Sequence, residues 1–299
     1  MKNIALVLSG GGARGIAHIG VIEELEKLGY TIHSITGTSM GALVGGVYAA
    51  GNLKGFKQWL LNLDKVEIFK LIDFTLINKG FVKGDRVFNE LKEFIPDINI
   101  EDLKISFSAI ATDITNKQEM VFTEGNLLHA IRASISIPSI FTPVLNGNAI
   151  LVDGGIINNI PINHAKRIAN DILIAVNVNA NIPPAKIITS TKENTEKHIM
   201  HQSLLQSFNQ KLHKLLPSEK KNSLGYFDIM NSSFEMMRDQ LVKLNLEINP
   251  PDILIETSRS ICSIYDFYKA HELIEKGHQA TAIRLKNYEN STPTLTKNE

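Results

Sequence analysis

An apolar run that stops at three consecutive glycines and resumes as a helix, "ALVLSGGGARGIAHIG" at residues 5–20, constrains this chain more than any other stretch. Glycine has the most conformational freedom to lose on folding, so three in a row mark a place where bare backbone is needed. Residues 3–9 read as a buried strand. Residues 13–28 read as a helix, with Val21, Leu25 and Leu28 at helical spacing and Gly29 as its stop. A second unit of the same form follows at once: the strand "HSITG", the turn "GTSMG" and the small-residue helix "MGALVGGVYAAG".

The alternation continues. Strands are expected at "ISFSAIATDI", "QEMVFT", "NAILVD" and "DILIAVNV", and helices over 85–94, 125–133 and 162–169. A long helix over about 224–246, the strand "DILIE" and a closing helix over about 266–285 complete the pattern. Strands alternating with helices predict an α/β fold with a mainly parallel central sheet flanked by helices on both faces, in three layers α/β/α. Residues 1–290 are read as one domain carrying an inserted helical arm at 184–222, and 291–299 as a disordered tail.

Composition excludes several functions. The 31 Lys+Arg balance 31 Asp+Glu, so no global charge favours nucleic acid. The lone Cys262 cannot close an intrachain disulfide and fits a reducing, cytoplasmic setting. The start reads as a strand, not a signal peptide, and no run reaches the length of a membrane span. No His, Cys or carboxylate cluster has metal-ligand spacing, so neither metal nor cofactor is expected.

Chemistry narrows the glycine turns. "GGGARG", residues 10–15, satisfies G-x-G-x-x-G between strand and helix, the form of a dinucleotide-binding turn. Such a turn calls for an acidic residue at the end of the second strand, where Thr36 stands; a nucleotide-dependent oxidoreductase is therefore the weaker alternative. A phosphate loop is excluded, because Ile16 and Ala17 occupy the Lys and Ser/Thr positions. "GTSMG" has the form of a nucleophile elbow, which makes Ser39 a candidate nucleophile. Two such turns can face each other at the carboxyl edge of one sheet, where the N–H groups of the first could stabilise an oxyanion formed at Ser39. A serine needs a base, and Asp153 in "VDGGIINNIP", at a strand end before two glycines, is the candidate. His164, His271 and His278 follow Asp153 in triad order; with His18 and His129 they are read as surface or structural residues.

At this point the chain closely resembles the patatin-like phospholipase family. The resemblance rests on "SGGGARG", "GTSMG" and "VDGG" in that order, with further likeness at "ATDITN" and "RASISIPSIFTPV", and covers roughly residues 4–180. It implies a sheet sandwiched by helices and hydrolysis of lipid esters. Ser39 would be the nucleophile and Asp153 its dyad partner and base. Backbone N–H groups of Gly10, Gly11 and Gly12 would form the oxyanion hole, with Arg14 holding that loop or meeting a phosphate. A non-catalytic lipid-binding or regulatory protein on the same scaffold is the alternative from another class, and the intact Ser39 and Asp153 count against it.

The arm lies beyond this resemblance. Between Lys186 and Lys221 stand seven Lys and three Glu, and "HIMHQSLLQSFNQKLHKLL" places Ile199, Leu204, Phe208, Leu212 and Leu215 at roughly helical period. An apolar stripe beside lysines suits peripheral docking on an anionic membrane surface. Most such stripes, however, pack on the protein's own core or on a partner subunit.

Overall fold

The computed structural model describes residues 2–71, 84–138, 140–183 and 226–291. The expected arm at 184–222 and residues 292–299 of the expected 291–299 tail lie outside the described residues, while Ser291 is helical. Met1–Pro184 and Arg238–Glu299 together make one compact unit, and Ala185–Met237 makes a second.

The first unit opens with β1 (Lys2–Leu8), α1 (Ala17–Lys27), β2 (Tyr30–Thr38) and α2 (Met40–Ala49), so both glycine turns join strand to helix as the sequence predicts. Helices α3 (Leu53–Asn62), α4 (Lys65–Leu71) and α5 (Asp85–Leu91) follow. Next come β3 (Ser106–Asp113), β4 (Gln118–Phe122), α6 (Leu127–Ser134), β5 (Val144–Asn146), β6 (Ala149–Asp153) and β7 (Ile172–Ala180). The described chain then resumes as α7 (Tyr226–Ile248), β8 (Ile253–Ser258) and α8 (Ala270–Ser291).

One mixed sheet carries these strands. β3, β2, β1, β7 and β8 run parallel side by side, while β4 and β6 pair with β3 antiparallel and β5 pairs with β6. β1 shows why the layers form. Ile4, Leu6 and Leu8 point into the larger core, shared with α1, α2 and α8, whereas Ala5 and Val7 point into a smaller one with Ile160, Ile162, Leu173 and Ala175. Val242 and Leu246 of α7 cover that second face. Strands buried on both faces are continuously apolar, as a covered parallel sheet requires. Where α1 crosses α8 the helices touch through glycine: a Cβ at Gly20 would strike the Ile274 carbonyl, and one at Gly277 the Ala17 carbonyl.

The edge of β3 is shared by two strands meeting end to end. Ile110 pairs with Thr38 of β2 on one side and Val121 of β4 on the other. The next residue, Ala111, keeps its β4 partner but pairs with Asp153 of β6 where β2 has ended. β2 and β6 therefore point their C-termini at each other, which brings Ser39 and Asp153 together.

Residues 162–169 correct the sequence expectation. They form only a 3-10 turn at Ile162–His164, then irregular chain and a turn at 169–170, not a helix. The hydroxyls of Ser34 and Thr36 on β2 donate to the carbonyls of Lys166 and His164, at 2.7 and 3.3 Å, and so take acceptors that a helix would use internally.

Candidate active site

Ser39 sits between β2 and α2 with φ 54° and ψ −123°, a left-handed conformation that is costly for a residue bearing a Cβ. The turn is held from several sides. The Ser39 N–H donates to Ser134 Oγ at 2.8 Å, and that hydroxyl donates to the Ile110 carbonyl at 2.6 Å. Thr38 Oγ1 donates to the Asn158 carbonyl at 2.8 Å. Gly41 lets α2 start against β1, since a Cβ there would strike the Leu8 backbone.

Ser39 Oγ donates to Asp153 Oδ2 at 2.5 Å, and the other carboxylate oxygen accepts the Gly155 N–H at 2.7 Å. Both residues are buried, Ser39 5% and Asp153 6% exposed. Burial pushes the Asp153 carboxyl up to about 6, against the opposing pull of the Ser39 and Gly155 hydrogen bonds and the charge of Arg238 on α7. A carboxylate poised there is ionised at neutral pH and basic enough to accept a proton from a hydroxyl during reaction. The backbone of Asp153 is fixed too, its N–H on the Ser136 carbonyl at 2.9 Å and its carbonyl accepting from Thr112 Oγ1 at 3.0 Å.

The first glycine turn stands against this pair. A Cβ on Gly10 would lie 3.1 Å from Ser39 Cβ and 2.6 Å from Asn159 Oδ1, so a side chain there would force both neighbours to shift. The Gly10 N–H donates to the Asn159 carbonyl at 3.0 Å, which corrects the expectation that all three glycine N–H groups are open. Those of Gly11 and Gly12 come at the start of a 3-10 helix, Gly12–Ile16, and have no acceptor among the described residues. Gly12 adopts φ +56°, a left-handed turn that favours glycine. Arg14 is buried, its Nε donating to the Cys262 carbonyl at 3.2 Å and an Nη to Asn179 Oδ1 at 2.9 Å.

The described histidines lie elsewhere. His18 is fully buried, its Nε2 on the Ser9 carbonyl at 2.8 Å, and burial pushes its pKa down to about 4, so the ring is neutral. His164 meets Glu119 at 2.6 Å, and His278 meets Glu23 and Glu24. His129 packs edge-on against Phe122. Among the described residues no histidine takes a place on Asp153, whose two oxygens face Ser39 and Gly155. Among the described residues no three His, Cys, Asp or Glu side chains are placed to hold a metal.

Four residues around the dyad were not singled out by sequence: Ser134, Asn159, Asn179 and Arg238. Ser134 and Asn159 fall inside "RASISIPSIFTPV" and "VDGGIINNIP", whereas Asn179 and Arg238 carry no local signal.

A strained serine elbow is thus bonded to a buried carboxylate, beside a glycine turn two of whose backbone N–H groups have no acceptor among the described residues. The family model described as patatin-like phospholipase matches residues 6–166. An uncharacterized NTE family protein of Mycobacterium bovis is 30% identical to this chain over 96% of its length and 92% of its own. Lysophospholipase nte1 of Emericella nidulans is 32% identical over 59% of this chain and 12% of that protein. Among solved structures, VipD of Legionella pneumophila aligns over 96% of this chain and 67% of its own, with TM-score 0.45 and 15% identity. The chain belongs to the patatin-like phospholipase family, and its general class is that of the lipid-ester hydrolases.

Proposed function

We propose that this protein releases fatty acid from phospholipid or lysophospholipid esters through a Ser39–Asp153 dyad. The observation that carries the reading is the 2.5 Å hydrogen bond from Ser39 Oγ to Asp153 Oδ2 at a positive-φ elbow. Asp153 takes the Ser39 proton as Oγ attacks the acyl carbonyl, and the Gly11 and Gly12 N–H groups hold the oxyanion. The leaving alcohol takes that proton as the C–O bond breaks and Oγ stays acylated. Water then gives a proton to Asp153 and attacks the acyl group, and Ser39 recovers its hydrogen as the fatty acid leaves. Gly10 supplies the bare backbone against Ser39. No step calls on calcium.

The reading extends to a cytoplasmic location with peripheral contact to anionic membranes. It is supported by the lone buried Cys262, by the absence of a membrane-spanning helix among the described residues, and by the excess of four positive charges between Lys186 and Lys221. Within that same second unit Phe234, Met236 and Met237 of α7 are exposed, an apolar complement to those lysines. The test uses a fluorophosphonate probe and a panel of phospholipids, lysophospholipids and neutral glycerides in EDTA. Labelling at Ser39 with fatty-acid release in the chelator is expected; labelling elsewhere, or activity restored only by added calcium, overturns the dyad reading. Neutralising Lys211 and Lys214 is expected to weaken binding to anionic vesicles and slow hydrolysis of vesicle lipid, both attractions fading with salt, while a soluble short-chain ester is turned over as before. Equal loss on both substrates removes the docking part alone.

A further inference from the structure

The glycine turn is held by a side chain outside the span of the family match, 6–166. β7 pairs with β1 as far as Leu8 opposite Val176, so residue 179 lies past the end of β1, where the glycine turn begins. The Asn179 side chain is buried there. Its Nδ2 donates to the Gly10 carbonyl at 2.6 Å, and its Oδ1 accepts from Arg14 at 2.9 Å. Its backbone N–H donates to Asn177 Oδ1 at 3.0 Å.

These partners admit one amide orientation. A guanidinium only donates and a carbonyl only accepts, so Arg14 must face the Asn179 oxygen and Gly10 must face its NH₂. Asn159 adds a longer contact, Nδ2 to the same Gly10 carbonyl at 3.4 Å, while its own carbonyl takes the Gly10 N–H. The Gly10 carbonyl is thereby aimed at β7. In a trans peptide the carbonyl and the following N–H point in opposite directions. Aiming the Gly10 carbonyl inward turns the Gly11 N–H away from both asparagines, in a loop whose Gly10 abuts Ser39.

We propose that Asn179 is a positioning residue, locked by Arg14, that orients the Gly10–Gly11 peptide so that the Gly11 N–H is presented to the oxyanion. This rests on the reading of the glycine turn as the oxyanion hole. Arg14 then acts through Asn179 and does not itself touch substrate. A flexible glycine loop would otherwise sample many directions, and misplacing a reacting group by about 1 Å can cost on the order of 10²-fold in rate.

The experiment compares full-length variants on a soluble short-chain nitrophenyl ester. Asn179→Asp keeps shape and the partnership with Arg14 but sets an oxygen against the Gly10 carbonyl. It is expected to lower kcat by about 10- to 100-fold, with KM within about twofold and the acid limb of the pH profile unmoved. Arg14→Lys, still a donor only, is expected to retain more activity than Arg14→Met. Adding Arg14→Met to Asn179→Asp should cost less than it does alone, as two residues acting in one chain require. Should Asn179→Asp fail to fold, Asn179→Ala removes the donor without adding charge, and the same kcat loss is expected. Wild-type kcat in a folded Asn179 variant overturns the proposal, as does full additivity with Arg14→Met. A Ser39→Ala protein serves as the reference: hydrolysis persisting there would sink the underlying reading, whereas an inert Ser39→Ala beside a fully active Asn179→Asp sinks only the positioning role.

Discussion

Ser39→Ala is expected to abolish fluorophosphonate labelling and to lower ester hydrolysis by about 10⁴- to 10⁶-fold, the scale seen when a serine nucleophile is removed. The fold should persist. Alanine tolerates φ 54° no worse than serine, and the Ser39 N–H keeps its bond to Ser134 Oγ. Asp153 loses one of the hydrogen bonds that hold its pKa down, so its carboxyl rises further above the ordinary 3.8. Circular dichroism and a melting curve establish folding, and turnover is then measured on the soluble ester. Retained turnover in a preparation free of contaminating esterase would remove Ser39 from the mechanism.

Asp153→Asn is expected to give an inactive protein of greater stability. Asparagine can keep its one oxygen on the Gly155 N–H and turn its NH₂ to donate to Ser39 Oγ, but it cannot take a proton, and loss of a general base costs on the order of 10²- to 10⁴-fold. The stability gain follows from the raised pKa. An acid whose folded pKa stands above its unfolded value binds its proton more tightly when folded, so folding stability falls as pH rises from about 4 through about 6 and stays lower beyond. On the order of 3 kcal/mol hangs on that one ionisation. The asparagine protein should therefore melt higher than wild type at pH 7, with the difference shrinking toward pH 4. Wild-type kcat/KM should rise with pH around a midpoint near 6 and then level, because the ionised form is the base. A flat profile between pH 5 and 8, or an asparagine variant with near-normal turnover, would assign the proton transfer to another group.

The sequence carried the parts of the site that are local. Ser39 and the glycines of both turns are legible because a strand, a tight turn and a helix occupy consecutive residues, each with its own composition. Asp153 is legible as a polar end to an apolar strand. What could not be read is what the sheet order creates. Asn179 looks like an ordinary polar residue near a strand end until β7 is placed beside β1. Ser134 gains meaning only when the end of α6 reaches the Ser39 N–H. The short strand β5 has too few residues to show alternation, and residues 162–169 lose their helix to hydroxyls on β2, distant in sequence.

The meeting of β2 and β6 on one edge of β3 gives the two halves of the dyad unequal footing. Ser39 is anchored by a strand inside the parallel sheet, while Asp153 rides on a hairpin whose other strand, Val144–Asn146, is short and whose hold on β3 runs only from Ala111 to Asp113. Short peripheral strands open at a lower free energy than the molecule as a whole. Amide hydrogens of the hairpin should exchange ahead of those in β1 and β2, and turnover should fade on warming before the central sheet melts. The working lifetime of such a catalyst is set by its loosest strand, which makes the β5–β6 hairpin the place where bracing would extend activity to higher temperature.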